Sequence, residues 1–381
     1  MSLAADPIDV LRSRTSEKWD EQPDDVIPMF VAEMDYPLAA PIRTALHAAI
    51  DRGDTGYVSE HNRLPEAFRA FTARRWGWNA GDAAIVSTAD VSMGIVEILR
   101  QVTAPGDRVV ITPPVYPPFF DLAPEAGASV VEVPLVADEG HRLDLAGLDA
   151  AFSSGARAFL LCNPHNPLGR PHSREELISV AELAARHGVT VISDEIHAPL
   201  TLPGSTFTPY LDSSPLAREN GFAVHSASKA WNIAGLKCAI MVATGEHPRG
   251  ALERMPQEVA WRTGQFGVIA STAAYRHGEP WLDSALQAIA ANIVLLRRLL
   301  DEHLPGVSFE PPAAGYLAWL DFRALGWGDD PAEHIRREAK VSLSRGLDFG
   351  AQGAGFARMN LACSPELLEE AVLRIAALAQ G

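Results

Sequence analysis

Residues 225–231, HSASKAW, set a lysine, Lys229, behind two small hydroxyl residues, Ser226 and Ser228. GFAVHSA upstream reads as a short buried strand entering a turn. NIAGLKCAIMVA downstream reads as a loop and a second apolar strand. A lysine at the end of a buried strand is a costly placement unless its amine is used. One use is a Schiff base with an aldehyde cofactor, which needs a lysine able to lose its proton. A surface lysine in a loop fits the same short motif, so SxSK alone leaves both readings open.

Two further strand ends hold polar residues of matching chemistry. NPHNPLG, residues 163–169, follows the apolar run ARAFLLC, and SDEIH, residues 193–197, follows VTVI. With residues 226–229 they recur at roughly thirty-residue intervals, the spacing of successive parallel strands with helical crossovers. Asn-Pro pairs also make plain turns, and an aspartate after a strand also caps turns. A late FARMN, residues 356–360, sets Arg358 between apolar neighbours, which is hard to rationalise without a buried anion; a surface ion pair is the alternative.

The elements that must position these residues alternate strand and helix from about Ile85. Strand candidates are AAIVST, DRVVITPP, ASVVEVPL, ARAFLLC, VTVIS, FAVHSA and KCAIMVA. Between them, residues 91–103 place Val91, Ile95, Ile98, Leu99 and Val102 on one helical face. SREELISVAELAARHG reads as a helix capped by Ser173 with Glu176 in a capping box, ended by Gly188. Apolar strands separated by helices imply a mostly parallel sheet covered on both faces, with ligands outside the carboxyl ends of its strands. Helices are also expected over 40–52, 64–76 and 280–303. After about Gly278 the pattern becomes that of a smaller α+β unit, with strands at GYLAWLDF, VSLSRG and GFARMNLA. The proline-rich stretch IPMFVAEMDYPLAAPI reads as an extended arm lying over it. The expected division is an arm over 1–45 that completes the small domain, a large domain over 46–280, and the small domain over 281–381.

A chain of 381 residues has room for two domains and a large core. The net charge of -16 argues against nucleic acid and anionic membranes as partners. No apolar run is long enough to span a bilayer. No signal-peptide pattern opens the chain, which bears Asp6, Asp9 and Arg12 early. Cys162, Cys238 and Cys363 show no metal-ligand spacing and read as buried free thiols of a cytoplasmic protein. No metal site is expected.

NPHNPLG, SDEIH, SASK followed by GLK, and FARMN together resemble the fold-type I pyridoxal-phosphate enzymes of the aminotransferase class I/II family. MFVAEMDYP and PPVYPPF resemble its MalY/PatB-type cystathionine β-lyase (C–S lyase) branch. The resemblance implies pyridoxal 5'-phosphate as cofactor, held through Lys229, which also moves the substrate's α-proton. It implies that Asp194 pairs with the ring nitrogen and that Asn166 donates to the ring hydroxyl. His197 stands where the wider family usually has tyrosine and would donate to the same oxygen, its titration near neutrality adding a pH dependence; a structural histidine is the alternative. Ser226 and Lys237 match phosphate contacts, with the N-terminus of the helix at Val91 and Ser92, and Ser228 is a further cofactor-binding residue. Asp90 departs from the family's pattern there and is expected to cap the helix and point away, with Ser92 adding a hydroxyl. Tyr116 matches the aromatic that stacks on the ring and would protonate a leaving sulfur. Tyr57 matches a tyrosine that reaches the phosphate of the neighbouring subunit, which implies a homodimer. Both tyrosines also fit as core aromatics. Arg358 would grip the substrate α-carboxylate, with Asn166 and Tyr57 beside the substrate.

The reaction implied is β-elimination of a cysteine S-conjugate such as L-cystathionine to a thiol, pyruvate and ammonia. An aminotransferase would use the same lysine, aspartate, asparagine and arginine, and no single residue type separates the two. A non-catalytic regulatory protein on this fold is the third reading. The intact Lys229, Asp194, Asn166 and Arg358 speak against it.

Overall fold

The computed structural model describes residues 3–379. Residues 1–2 of the expected range 1–45 and residues 380–381 of the expected range 281–381 lie outside the described residues. Seven strands form the central sheet: β1 (Ala84–Thr88), β2 (Arg108–Ile111), β3 (Ser129–Glu132), β4 (Ala156–Cys162), β5 (Thr190–Asp194), β6 (Gly221–His225) and β7 (Ala239–Ala243). Their spatial order is β1-β7-β6-β5-β4-β2-β3. Neighbours are parallel from β6 through to β3, while β7 runs antiparallel to both β1 and β6.

The central strands are buried on both faces, as their unbroken apolar runs require. Strand alternation sorts them into two cores. Phe159, Leu161, Val191, Ala223, Ile240 and Val242 face one. Leu160, Ile192, Phe222, Val224 and Met241 face the other. The helix Arg174–His187 covers the first face with Leu177, Val180 and Ala184, and its Ser173/Glu176 capping box forms as expected. The helix Val91–Val102 covers the second with Ile95, Val96, Ile98 and Leu99. Gly94 lets it lie close, since a Cβ there would stand 3.1 Å from Val224 and 3.2 Å from Thr88.

A smaller antiparallel sheet holds β8 (Leu317–Asp321), β9 (Ser344–Arg345) and β10 (Phe356–Asn360), in the order β9-β10-β8. The run VSLSRG, expected as one strand, serves two partners. Val341–Ser342 pairs in parallel with Ile27–Pro28 of the arm, and Ser344–Arg345 pairs with β10. The arm is pinned further by a buried ion pair, Lys18 Nζ to Asp35 at 2.8 Å, whose carboxylate also accepts from Trp19 Nε1 at 2.8 Å. The helix Gln265–His277, which packs on Ala40–Asp51 and Leu64–Trp76, has no clear sequence signature. Its buried face is largely Gly, Ala and Ser, so apolar periodicity is faint.

Candidate active site

Strands β4, β5 and β6 end side by side, with Cys162 paired to Asp194 and Asp194 to Val224 across the ladder. Their C-terminal loops and Arg358 from β10 border one cavity of about 410 Å³.

Lys229 lies in the turn after β6. That turn is fixed by Trp231, whose backbone amide donates to Ala227 at 3.1 Å and whose Nε1 donates to Gly278 at 3.0 Å. Lys229 Nζ donates to the Ala32 carbonyl at 3.2 Å. Burial lowers its pKa, and the Arg358 charge adds to that. Asp194 accepts from the Ile196 amide at 3.1 Å. Burial pushes its carboxyl up to about 7, with the Glu195 charge adding to the rise. Glu195 itself points away from the cavity, accepting from the Tyr210 amide at 2.7 Å and lying 3.1 Å from His225 Nε2.

Asn166 Oδ1 accepts from Arg358 Nη1 at 2.9 Å. A guanidinium only donates, so this contact fixes the amide's orientation and leaves its NH₂ group for other acceptors. Arg358 Nη2 donates to the Phe30 carbonyl at 3.1 Å and to Ser344 Oγ at 3.0 Å. Its Nε is buried without a partner, and Phe349 lies under the guanidinium at 4.9 Å. Burial lowers this guanidinium's pKa to about 10, so it stays charged at neutral pH. Burial, with Lys229 and Arg358 nearby, lowers His197 to about 3. The imidazole is therefore neutral throughout the physiological range, and the expected titration near neutrality is corrected.

At the other end stand Val91, Ser92, Ser228, Lys237 and Asp90. Asp90 does cap the helix, accepting from the Met93 amide at 2.9 Å. It does not point away: its second oxygen accepts from Lys237 Nζ at 3.0 Å on the cavity wall. Both oxygens find donors there, which explains the difference. Tyr116 also borders the cavity, its phenol raised to about 12, mainly by burial and then by the Asp194 charge.

Two expected residues are absent from the cavity wall. Ser226 is buried behind it, donating to the Cys238 carbonyl at 2.6 Å and touching Ser228 Oγ at 2.7 Å. The carbonyl just before β7 takes its hydroxyl, and Ser228 faces the cavity. Tyr57 is 89% exposed and outside its own chain's cavity. Residues the sequence reading missed include Ala32 and Glu17 from the arm and Cys162 at the end of β4. The quoted arm motif MFVAEMDYP contains Ala32, but nothing local marks Glu17.

The set fits a phosphorylated aldehyde. It brings an amine of lowered pKa, a carboxylate, aromatic and amide groups, and a helix N-terminus with an ammonium to one cavity. It also has an orphaned guanidinium N–H for a second anion.

The aminotransferase class I and II family matches residues 24–375. A Mycobacterium leprae relative, provisionally named cystathionine beta-lyase, is 46% identical over 97% of this chain and 96% of its own. Cystathionine beta-lyase PatB of Bacillus subtilis is 35% identical over 95% of this chain and 96% of its own. A crystal structure from Corynebacterium diphtheriae, provisionally titled a PLP-dependent beta-cystathionase, superposes with a TM-score of 0.94 at 32% identity, covering 100% of this chain and 99% of that one. With a match of that extent, the chain belongs to the aminotransferase class I and II family, in the branch that includes PatB.

Proposed function

We propose that this protein cleaves the carbon–sulfur bond of cysteine S-conjugates by β-elimination, with L-cystathionine the first substrate to test. The products are a thiol (homocysteine from L-cystathionine), pyruvate and ammonia, and the cofactor is pyridoxal 5'-phosphate. The observation that supports this most is the convergence of Lys229, Asp194, Asn166 and Arg358 on one cavity. Relatives matched over almost the whole chain are named for this activity.

When bound, pyridoxal 5'-phosphate supplies the electron sink that makes an amino acid's α-proton removable. Asp194 would hold the ring nitrogen's proton, and the Asn166 amide and neutral His197 would donate to the ring hydroxyl. Tyr116 would cover the ring face. Ser92, Ser228, Lys237 and the first-turn amides of Val91 and Ser92 would hold the phosphate. Arg358 grips the substrate α-carboxylate, its remaining donors pinned by Asn166, Ser344 and the Phe30 carbonyl. Lys229 Nζ takes the α-proton; burial and the Arg358 charge favour its neutral, basic form. Tyr116 Oη is protonated at neutral pH and holds a proton for the departing sulfur. The arm closes the site from above, since Ala32 accepts from both Lys229 and Tyr316.

We further infer a cytoplasmic homodimer with shared sites. The exposed position of Tyr57 is compatible with a reach into a second subunit. The described cysteines are free and buried, and no described helix is long and apolar enough to cross a membrane.

The test is purified protein with pyridoxal 5'-phosphate and L-cystathionine, without any keto acid. Stoichiometric pyruvate and thiol are expected, together with a cofactor absorption band. A band without pyruvate, followed by turnover once a keto-acid acceptor is added, would replace elimination with transamination.

A further inference from the structure

We propose that Asp90 is an affinity-setting counter-charge: it positions Lys237 at the phosphate end of the cavity and, by its own charge, weakens the hold on any dianion there. This rests on the cofactor reading above.

The geometry is specific. Asp90 Oδ1 accepts from the Met93 amide at 2.9 Å, so the residue is the N-cap of Val91–Val102. Asp90 Oδ2 accepts from Lys237 Nζ at 3.0 Å. The Lys237 backbone is left-handed, φ 53°, an unfavourable conformation for a lysine. Its surroundings hold it there. The Lys237 carbonyl accepts from the Gly264 amide at 2.9 Å, and a Cβ on Gly264 would stand 2.7 Å from the Leu236 carbonyl. The ammonium is thus delivered to the helix N-terminus by a backbone locked between β6 and β7.

Stability does not account for the carboxylate. Asparagine or serine caps a helix about as well without a charge. The ion pair is half exposed, at 61% for Lys237 and 35% for Asp90, and pairs of that kind contribute little. What the charge changes is the potential at the anchor. With Asp90 present, the facing side chains at this end sum to zero, because Asp90 cancels Lys237. An arriving dianion gains the first-turn amides, the Ser92 and Ser228 hydroxyls and the ammonium, but meets the carboxylate that held the ammonium in place. Asp90 is a positioning residue that trades affinity for placement.

The test uses the full-length chain and three variants: Asp90→Asn, Lys237→Met and the double substitution. Side-chain charge at the anchor is then zero, plus one, minus one and zero. Pyridoxal 5'-phosphate binding to cofactor-stripped protein is followed by absorbance. Pyridoxal, which lacks the phosphate, is the control ligand, and inorganic phosphate binding is read by thermal shift. Asp90→Asn should tighten pyridoxal 5'-phosphate about tenfold. Lys237→Met should loosen it at least as much, and the double variant should return close to the original affinity. Pyridoxal should bind all four alike, and inorganic phosphate should follow the same order. An Asp90→Asn protein that binds no more tightly than the original, or a double variant weaker than Lys237→Met, would overturn the proposal. If phosphate follows the order while pyridoxal 5'-phosphate gives no absorption change in any protein, the cofactor reading fails and the counter-charge stands. Asparagine keeps the cap, so the Asp90→Asn protein remains folded and the comparison holds.

Discussion

Arg358 Nη1 donates to Asn166 Oδ1 at 2.9 Å, although the two residues stand 192 positions apart. The contact ties the small sheet to the loop after β4. It fixes the asparagine amide against the guanidinium, so in the proposed reading the anchor for the substrate carboxylate is held by the loop after β4.

Replacing Arg358 by lysine should therefore reduce kcat/KM about a hundredfold, chiefly through KM, because a point charge cannot reproduce the fork geometry. Cofactor binding should be nearly unchanged. Steady-state kinetics beside a cofactor titration checks both halves, and unchanged kinetics would remove Arg358 from substrate binding.

Tyr116→Phe separates two roles for one ring. Burial raises this phenol to about 12, so it keeps its proton at neutral pH. Loss of the hydroxyl should lower the elimination rate about a hundredfold while the cofactor is still retained. Full activity in the variant would leave Tyr116 with stacking alone.

Asp194 gives the cofactor-stripped protein a distinct pH profile. Its folded pKa, about 7, lies above a carboxylate's ordinary value of 3.8, and the cause is mainly burial. The folded state therefore binds the proton more tightly. The stabilisation is full below about pH 4 and is lost as pH rises towards 7. Between those limits stability should fall with rising pH, and Asp194→Asn should flatten that slope. Urea denaturation across the range measures it; an equal slope in both proteins would refute the assignment.

Lys18 and Asp35 form an ion pair whose side chains are only 1% and 0% exposed. Lys18→Met alone leaves Asp35 charged in the interior and should cost about 3–5 kcal/mol. Replacing both by apolar residues should cost less. The clasp is unimportant if the single variant unfolds at the same urea concentration as the original.

Tyr57 tests the shared-site proposal. Tyr57→Ala and Lys229→Ala proteins should each be weak or inactive, yet mixed and refolded together they should recover about a quarter of full activity. Half the dimers are then mixed, and each has one complete site. No recovery in demonstrably mixed dimers would confine Tyr57 to its own chain's surface.

The strand-end motifs are readable along the chain because strand, loop and polar residue are contiguous. A buried parallel strand must be apolar on both faces, so the polar residues after ARAFLLC, VTVI and FAV stand out at the carboxyl edge. The segments holding Asn166, Asp194 and Lys229 stand out in this way, whereas Arg358 lies inside a strand of the small sheet and stands out by its apolar neighbours. Packing decided the rest. Ser226 and Ser228 are indistinguishable in SASK, but only one lies within reach of the Cys238 carbonyl, and the other faces the cavity. Asp90 reads as a cap, and only the crossing of β7 back into the sheet brings Lys237 to its second oxygen. His197 has an ordinary imidazole's chemistry until burial beside Lys229 and Arg358 makes its charged form too costly. Glu17 and Ala32 enter the site because Lys18–Asp35 and the Val341–Ser342 pairing fold the arm across it. Residue types and motifs point to the chemistry, whereas partner, charge state and direction depend on contacts between separate segments, which only the folded chain supplies.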